Sequence, residues 1–119
     1  MKTGARILVI DDNAEARELL KDILEEKGYS ILEAENGEQA LEVMGKSLVH
    51  MAIVDLDMPR MNGIEFSKHA KSKNPVFPII MVTAYSQFYS PAEILASGVD
   101  AFLQKPIDLA RLLKAIEQL

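Results

Sequence analysis

Short runs of apolar residues alternate along the chain with longer segments in which apolar residues recur every three or four positions. The short runs are rich in Val, Ile and Leu, which is typical of parallel strands buried on both faces. They cover residues 6–10, 29–34, 49–54, 78–82 and 101–104. The longer segments have the spacing of amphipathic helices and cover residues 14–27, 36–46, 64–72, 91–97 and 107–119. The pattern predicts five strands that alternate with five helices.

Several of the predicted helices have recognisable ends. Asp12 or Asn13 can cap the first helix, and Gly28 can end it. Pro91 suits the first turn of the fourth helix, and Gly98 can close it. The apolar stripe of the first helix consists of Ala16, Leu19, Leu20, Ile23 and Leu24, and that of the last helix of Ile107, Leu109, Leu112, Leu113, Ile116 and Leu119.

Alternating strands and helices indicate an α/β fold in which each helix is a right-handed crossover between parallel strands. For five strands we expect a doubly wound, flavodoxin-like sheet of order 2-1-3-4-5 with helices on both faces. The chain reverses direction between the first and third strands and leaves a ligand-binding crevice at their carboxyl ends. The length of 119 residues suits one core, so we expect residues 1–119 to form one domain.

Composition and charge narrow the function classes. The chain has 18 acidic and 13 basic side chains and a formal charge of -5, which argues against direct binding to nucleic acid or to an anionic membrane. It has no cysteine, which excludes disulfides, thiolate metal sites and a cysteine nucleophile. No apolar run approaches the roughly 18 residues of a membrane span, and no targeting segment is visible. We expect a cytoplasmic protein.

Polar residues follow several of the predicted strands. Asp11 and Asp12 follow the first strand, Asp55 the third, Thr83 the fourth and Lys105 the fifth. Because the carboxyl ends of parallel strands lie at one edge of a sheet, we expect these side chains to meet there. Carboxylates this close raise one another's pKa and favour a hard divalent cation with oxygen ligands. Mg²⁺ is the best candidate, since it keeps several waters and leaves positions open for phosphate oxygens.

Each of these residues also has a purely structural interpretation. Asp11 and Asp12 could cap the first helix, and Asp55 could form a turn. Thr83 could be an ordinary strand end and Lys105 a solvated charge. These explanations are independent of one another and would have to coincide at the ends of the right strands, so the complete set favours a functional site.

Four motifs make the chain resemble the receiver domain family of two-component response regulators, in particular chemotaxis-regulator-like proteins, over essentially its whole length. The motifs are ILVIDD at residues 7–12, IVDLDMPRMNG at 53–63, MVTA at 81–84 and FLQKP at 102–106. The resemblance implies that Asp55 accepts a phosphoryl group and that Asp11, Asp12 or both hold Mg²⁺. It also implies that Asp57 offers its backbone carbonyl to the metal. Thr83 and Lys105 would bind phosphoryl oxygens and would form the catalytic set together with Asp55.

The same resemblance implies a switch and not an enzyme. The donor would be a phosphohistidine on a sensor histidine kinase or phosphotransfer protein, with small acyl phosphates as substitutes, and hydrolysis would reset the switch. Thr83 would move toward the phosphoryl group and leave space for Phe102 to turn inward and alter binding to a downstream effector or to a second copy. Phe102 lacks a hydroxyl, so its signal would come from packing. Outside the family context Phe102 would be plain core.

The segment at residues 85–91 is richer in aromatic residues than a solvent-facing loop requires. One hypothesis is that Phe88 and Tyr89 belong to a partner or dimer interface with the last strand and helix, and the alternative is that they fold back on the core. By resemblance, Tyr85 and the Asp57 side chain border the attacking water, which leaves the lifetime of the phosphoryl group open.

Four other interpretations compete with a stand-alone receiver. Asp55 and Asp57 match the Asp-x-Asp of haloacid-dehalogenase-type phosphatases, but that motif belongs on a first strand and here follows the third. A receiver-like interaction module without phosphorylation remains an alternative, as does a receiver excised from a larger regulator or hybrid kinase. A flavin-binding domain would need a Ser/Thr/Gly-rich phosphate cradle after the first strand, where this chain has acidic residues.

Overall fold

The computed structural model describes residues 1–84 and 89–119. Within those residues strands and helices alternate in the predicted order. The strands are β1 (Arg6–Ile10), β2 (Ser30–Ala34), β3 (Met51–Asp55), β4 (Ile79–Thr83) and β5 (Ala101–Gln104). The helices are α1 (Ala14–Glu26), α2 (Gly37–Lys46), α3 (Gly63–Lys73), α4 (Pro91–Ala96) and α5 (Leu109–Gln118).

The five strands form one parallel sheet of order β2-β1-β3-β4-β5, as predicted. Strand β3 is central and lies between β1 and β4. Its residues are all buried, as are those of β4. The fold is therefore the doubly wound, flavodoxin-like sheet, and the crevice lies where β1 and β3 end side by side.

Side chains alternate between the two faces of the sheet and build a core on each. On one face, residues such as Leu8, Val54 and Met81 pack against α2, α3 and α4. On the other, residues such as Val9 and Ile53 pack against α1 and α5. Burial on both faces explains why β1, β3 and β4 are nearly continuous apolar runs, whereas the edge strands β2 and β5 are only partly buried and carry polar residues.

Side-chain caps define where the helices begin. Asn13 caps α1, because its side chain accepts a hydrogen bond from the Ala16 N–H at 3.0 Å. Of the two caps proposed for this helix, Asn13 is therefore the one used, and the structural interpretation of Asp11 and Asp12 as caps is wrong. Asn62 and Ser90 each form a reciprocal capping box with a glutamate at the start of α3 and α4.

Several boundaries and exposures differ from the sequence-based prediction. Strand β3 begins at Met51 and includes Asp55, and α5 begins only at Leu109 because Asp108 is its cap. Leu19, assigned to the apolar stripe of α1, is 62% exposed, and the stripe residues Leu109 and Leu119 of the last helix are exposed as well. Helical spacing thus overestimated the width of the buried faces. None of the helices in the described residues is long and apolar enough to cross a membrane.

Candidate functional site

The candidate site lies at the carboxyl edge of the sheet. Asp55 is the last residue of β3 and Thr83 the last residue of β4. Asp11 follows the last residue of β1, and Lys105 follows the last residue of β5. Parallel strand order thus brings together residues that lie up to 94 positions apart in the sequence, as the Lys105–Asp11 contact shows.

Three carboxylates form the acidic part of the site. One oxygen from each of Asp11, Asp12 and Asp55 lies within 4.8 Å of the others. Asp11 and Asp55 are 5% and 6% exposed, whereas Asp12 is exposed. Oxygen ligands at this spacing, with one open side for water, fit a hard cation such as Mg²⁺, which keeps part of its hydration shell. The Asp57 side chain is exposed and does not belong to this group in the part of the chain that the structure describes.

Lys105 bridges two of the carboxylates. Its Nζ atom donates to Oδ2 of Asp55 at 3.2 Å and to Oδ2 of Asp11 at 3.4 Å. The Lys105 backbone N–H also donates to the Thr83 carbonyl at 2.8 Å, which ties the lysine to the end of β4. One ammonium beside three carboxylates leaves the site net negative, so it retains an attraction for a cation.

The carboxyl group of Asp55 holds its proton unusually well. Burial, followed by the charge of Asp11, raises the pKa of Asp55 to about 6. The Asp57 N–H, 3.1 Å from Oδ1 of Asp55, and the Lys105 ammonium lower that pKa but do not cancel the increase. Burial acts to lower the pKa of Lys105, but the attraction of Asp55 and Asp11 is larger and raises it, so this side chain stays an ammonium.

Thr83 contributes a buried hydroxyl. The residue has no exposed surface, and its Oγ1 atom has no hydrogen-bond partner within residues 1–84 and 89–119. A buried hydroxyl without a partner is unfavourable, and such a group in a native structure calls for an explanation. An anionic ligand oxygen bound beside Asp55 would be a partner of the right chemistry.

A set of hydrogen bonds that the sequence analysis missed holds Asp11 in place. Its backbone N–H donates to the Ala34 carbonyl at 3.1 Å, and its Oδ1 accepts from the Asn13 N–H at 2.9 Å. Its carbonyl accepts from Nη1 of Arg17 at 2.6 Å. Arg17 lies on α1 and not at the end of a strand, so the strand-end pattern that marks the other site residues does not mark it.

The aromatic residues near the site have different positions. Phe102 is half-buried and packs against the core on the α2–α3–α4 face, and so does Tyr89. The Tyr89 hydroxyl accepts a hydrogen bond from Nδ2 of Asn62 at 3.2 Å. For Tyr89 the structure therefore favours the interpretation that it folds back on the core. Tyr85 and Phe88 lie outside the described residues.

Comparison with known proteins shows a family match over most of the chain. The family model described as response regulator receiver domain matches residues 7–117. The chain is 34% identical over 116 residues to the chemotaxis protein CheY of Thermotoga maritima, and the match covers 97% of each protein. It is 38% identical over 106 residues to the transcriptional regulatory protein ZraR of Klebsiella oxytoca, with 89% of this chain covered.

A solved structure has the same fold. The response regulator protein TrrA of Thermotoga maritima, in complex with Mg²⁺ and beryllium fluoride, superimposes with a TM-score of 0.86 and 35% identity. The alignment covers 96% of this chain and 97% of that one. Relatives of the ZraR type are much longer than this chain, which spans 24% of the length of the Klebsiella oxytoca protein.

Proposed function

The chain belongs to the response regulator receiver domain family, and from this premise we propose that residues 1–119 form a Mg²⁺-dependent receiver that is phosphorylated on Asp55. The observation that carries the proposal is the position of Asp55, at the end of the central strand within one group with Asp11, Asp12 and Lys105. This arrangement combines a nucleophile, ligands for a cation and an ammonium for phosphoryl oxygens.

The proposed reaction transfers a phosphoryl group to the Asp55 carboxylate. A bond forms between an Asp55 oxygen and phosphorus while the phosphorus–nitrogen bond of a phosphohistidine breaks, and the histidine ring leaves with that electron pair. A carboxylate is a weak nucleophile, so catalysis depends on alignment and on neutralising the phosphoryl charge. Lys105 supplies one positive charge, and the Thr83 hydroxyl donates to a phosphoryl oxygen. Hydrolysis of the acyl phosphate then resets Asp55.

Mg²⁺ would be held by the side chains of Asp11, Asp12 and Asp55 and by the backbone carbonyl of Asp57. When bound, it supplies neutralisation of the charge on the transferring phosphoryl group. Asp11 is positioned for this role by its hydrogen bonds on three sides, and the exposed Asp12 leaves room for water ligands. The chain is in this view a phosphoacceptor switch whose own residues promote its phosphorylation and dephosphorylation, not a turnover enzyme.

The output of the proposed switch passes from Thr83 to Phe102. Thr83 pairs with Gln104 across β4 and β5, two residues beyond Phe102, so a movement of the threonine hydroxyl toward the phosphoryl group acts next to the aromatic ring. The half-buried state of Phe102 leaves it free to become more buried when space opens.

The proposed partners are a sensor histidine kinase or phosphotransfer protein as donor and an effector protein or domain as target, with a homodimer as one form of the active state. The acidic net charge of -5 argues against direct contact with nucleic acid or an anionic membrane. A cytoplasmic location belongs to the same proposal and agrees with the absence of cysteine from the chain.

The test is incubation with acetyl phosphate and Mg²⁺, followed by intact-mass measurement. We expect a phosphoryl-sized mass gain that needs Mg²⁺ and disappears in Asp55→Asn. A matched control is Asp22→Asn, which removes an exposed carboxylate on α1 and should leave the gain intact. If beryllium fluoride, acetyl phosphate and a panel of purified kinases all leave the wild-type protein unchanged, the chain is a receiver-like interaction module and the proposal is wrong.

A further inference from the structure

Arg17 is a helix residue that contacts the backbone of the acidic site. Its Nη1 atom donates to the Asp11 carbonyl at 2.6 Å, and its Nε atom donates to Oε1 of Glu33 on the neighbouring strand β2 at 3.3 Å. The Arg17 side chain is only 15% exposed. A planar guanidinium held at two points has a fixed orientation, which a lysine ammonium at the same place would not have.

The carbonyl that Arg17 binds belongs to the peptide unit joining Asp11 to Asp12. The orientation of that peptide unit decides where Asp12 leaves the backbone, and Asp12 is the exposed member of the carboxylate group. The Asp11 carboxylate is fixed separately by the Asn13 N–H and Lys105. Among residues 1–84 and 89–119, Arg17 therefore contributes the one side-chain hydrogen bond to the peptide unit that links the two carboxylates.

We propose that Arg17, oriented by Glu33, is a positioning residue that holds the Asp11–Asp12 peptide unit in the conformation needed to bind a divalent cation. The inference rests on the proposed function in one respect, that the carboxylate group takes Mg²⁺. Arg17 touches neither cation nor phosphoryl group in this role. It acts through the backbone, as groups outside the direct ligands of a metal do when they orient those ligands.

Electrostatics and positioning predict opposite results when Arg17 is replaced. Removing a positive charge beside three carboxylates makes the site more negative and, by charge alone, should strengthen cation binding. Releasing the Asp11 carbonyl lets the peptide unit rotate, and this should weaken binding. The sign of the change in affinity thus separates the two roles.

Lys21 provides the matched control. Its Nζ atom lies 3.8 Å from Oε2 of Glu33, so it pairs with the same carboxylate as Arg17 and carries the same charge. Its side chain is 38% exposed, and within the described residues it makes no hydrogen bond to Asp11. Lys21→Met removes the positive charge and leaves the hydrogen bond from Arg17 to the Asp11 carbonyl in place.

The experiment measures Mg²⁺ affinity by isothermal titration calorimetry for the wild type, Arg17→Met, Arg17→Lys and Lys21→Met. Urea unfolding with EDTA is measured in parallel, because a merely structural role would lower the unfolding midpoint and leave the affinity of the folded protein unchanged. We expect Arg17→Met to bind Mg²⁺ about 10-fold more weakly. The Mg²⁺ affinity of Arg17→Lys should lie between those of the wild type and Arg17→Met, and Lys21→Met should bind Mg²⁺ at least as tightly as the wild type.

Each result decides between the inference and its rivals. Equal or tighter Mg²⁺ binding by Arg17→Met overturns the inference, and so does an equal loss in Lys21→Met. If Arg17→Met does not fold, weaker binding by Arg17→Lys, which keeps the positive charge, supports the inference, and unchanged binding by Arg17→Lys overturns it. A wild-type protein that binds no Mg²⁺ contradicts the proposed function itself, which is a separate outcome.

Discussion

Gly63 packs directly against the backbone of Asp55, with no space between them for a side chain at residue 63. A Cβ atom at residue 63 would stand 2.8 Å from the Asp55 carbonyl oxygen and 2.9 Å from Cα of Leu56. The Gly63 N–H also donates to the Leu56 carbonyl at 3.1 Å. The first residue of α3 is thereby fixed against the end of β3, and the position of that helix and the position of Asp55 depend on each other.

Gly63→Ala should therefore destabilise the protein and disturb the site. The obstacle to the added methyl group is backbone on both sides, which cannot yield as a flexible side chain would. We expect a loss of about 1–3 kcal/mol in the free energy of unfolding, the usual range for an inserted methyl group without space. Urea unfolding monitored by circular dichroism measures it, and phosphorylation by acetyl phosphate should slow in the same variant.

Gly45→Ala is the control for this substitution. Gly45 lies within α2, and a Cβ atom there meets nothing within 4 Å. Alanine favours a helix over glycine, so this variant should gain roughly 0.5–1 kcal/mol. If Gly63→Ala were as stable as Gly45→Ala, the close packing of α3 on Asp55 would be contradicted.

The raised pKa of Asp55 predicts a pH-dependent effect of removing its charge. In the folded protein Asp55 has a pKa of about 6, whereas in the unfolded chain it loses its proton near the ordinary pKa of 3.8. Between these values the folded state binds more protons, so the contribution of Asp55 to stability falls as pH rises and is lowest above pH 6. Without metal, Asp55→Asn should match the wild type near pH 4 and become progressively more stable than it toward pH 7.

Urea midpoints at several pH values, in EDTA, test this prediction. The difference between wild type and variant is the relevant quantity, because other groups titrate in both proteins. The exposed Asp22→Asn should show no such trend. Saturating Mg²⁺ should stabilise the wild type and not Asp55→Asn, which would reduce or reverse the advantage of the variant. A constant difference across the pH range would contradict the assigned environment of Asp55.

Lys105→Met should separate metal binding from phosphorylation. Removing the ammonium leaves Asp11 and Asp55 without their shared partner, which raises the pKa of Asp55 further and makes the site more negative. At pH 8 we expect Mg²⁺ to bind at least as tightly as in the wild type. The rate of phosphorylation by acetyl phosphate should nevertheless fall about 100-fold, since one charge that stabilises the transferring phosphoryl group is lost.

Calorimetry and single-turnover mass measurements check the two halves of that prediction. Lys114→Met, which removes an exposed lysine of α5, should change neither. Equal losses of Mg²⁺ affinity and phosphorylation rate in Lys105→Met would instead mean that the lysine mainly holds the carboxylates in place.

The spacing of apolar residues and the alternation of strands and helices predict much of this fold. In a parallel sheet all strands end at the same edge, so the residues that follow the strands lie together there. That rule alone predicts that Asp11, Asp55, Thr83 and Lys105 lie near one another. The choice between Asp12 and Asn13 as helix cap was not predictable, because both side chains carry a suitable oxygen. The cap depends on which residue is the last one before the helical backbone begins, and the spacing of apolar residues does not fix that point to a single residue.

Two further features have no local signature. The contact of Arg17 with the Asp11 carbonyl depends on how α1 lies across β1 and β2, which periodicity does not specify. The exposure of Leu19 has the same origin, because spacing marks an apolar stripe but not how much of it the neighbouring elements cover. Sequence reasoning thus found the residues at strand ends and missed the support provided by a helix.

Thr83→Val should stabilise the protein while impairing the proposed switch. Valine keeps the shape of threonine and replaces the Oγ1 hydroxyl, which is fully buried and without a partner in the described residues, by a methyl group. Removing an unsatisfied buried hydroxyl is favourable, and valine also suits a strand, so we expect a gain of about 1 kcal/mol in metal-free urea unfolding. Ser67→Ala is the contrasting control, because the buried Ser67 hydroxyl donates to the Gly63 carbonyl at 2.7 Å and its removal should destabilise the protein by about 1 kcal/mol.

With Mg²⁺ and beryllium fluoride the order of stability of wild type and Thr83→Val should change, because the wild type can donate a hydrogen bond from Thr83 to the bound anion and Thr83→Val cannot. A smaller ligand-induced rise in the unfolding midpoint for Thr83→Val would connect the unpaired hydroxyl to the anion, whereas an undiminished rise would show that Thr83 is only a strand-end residue.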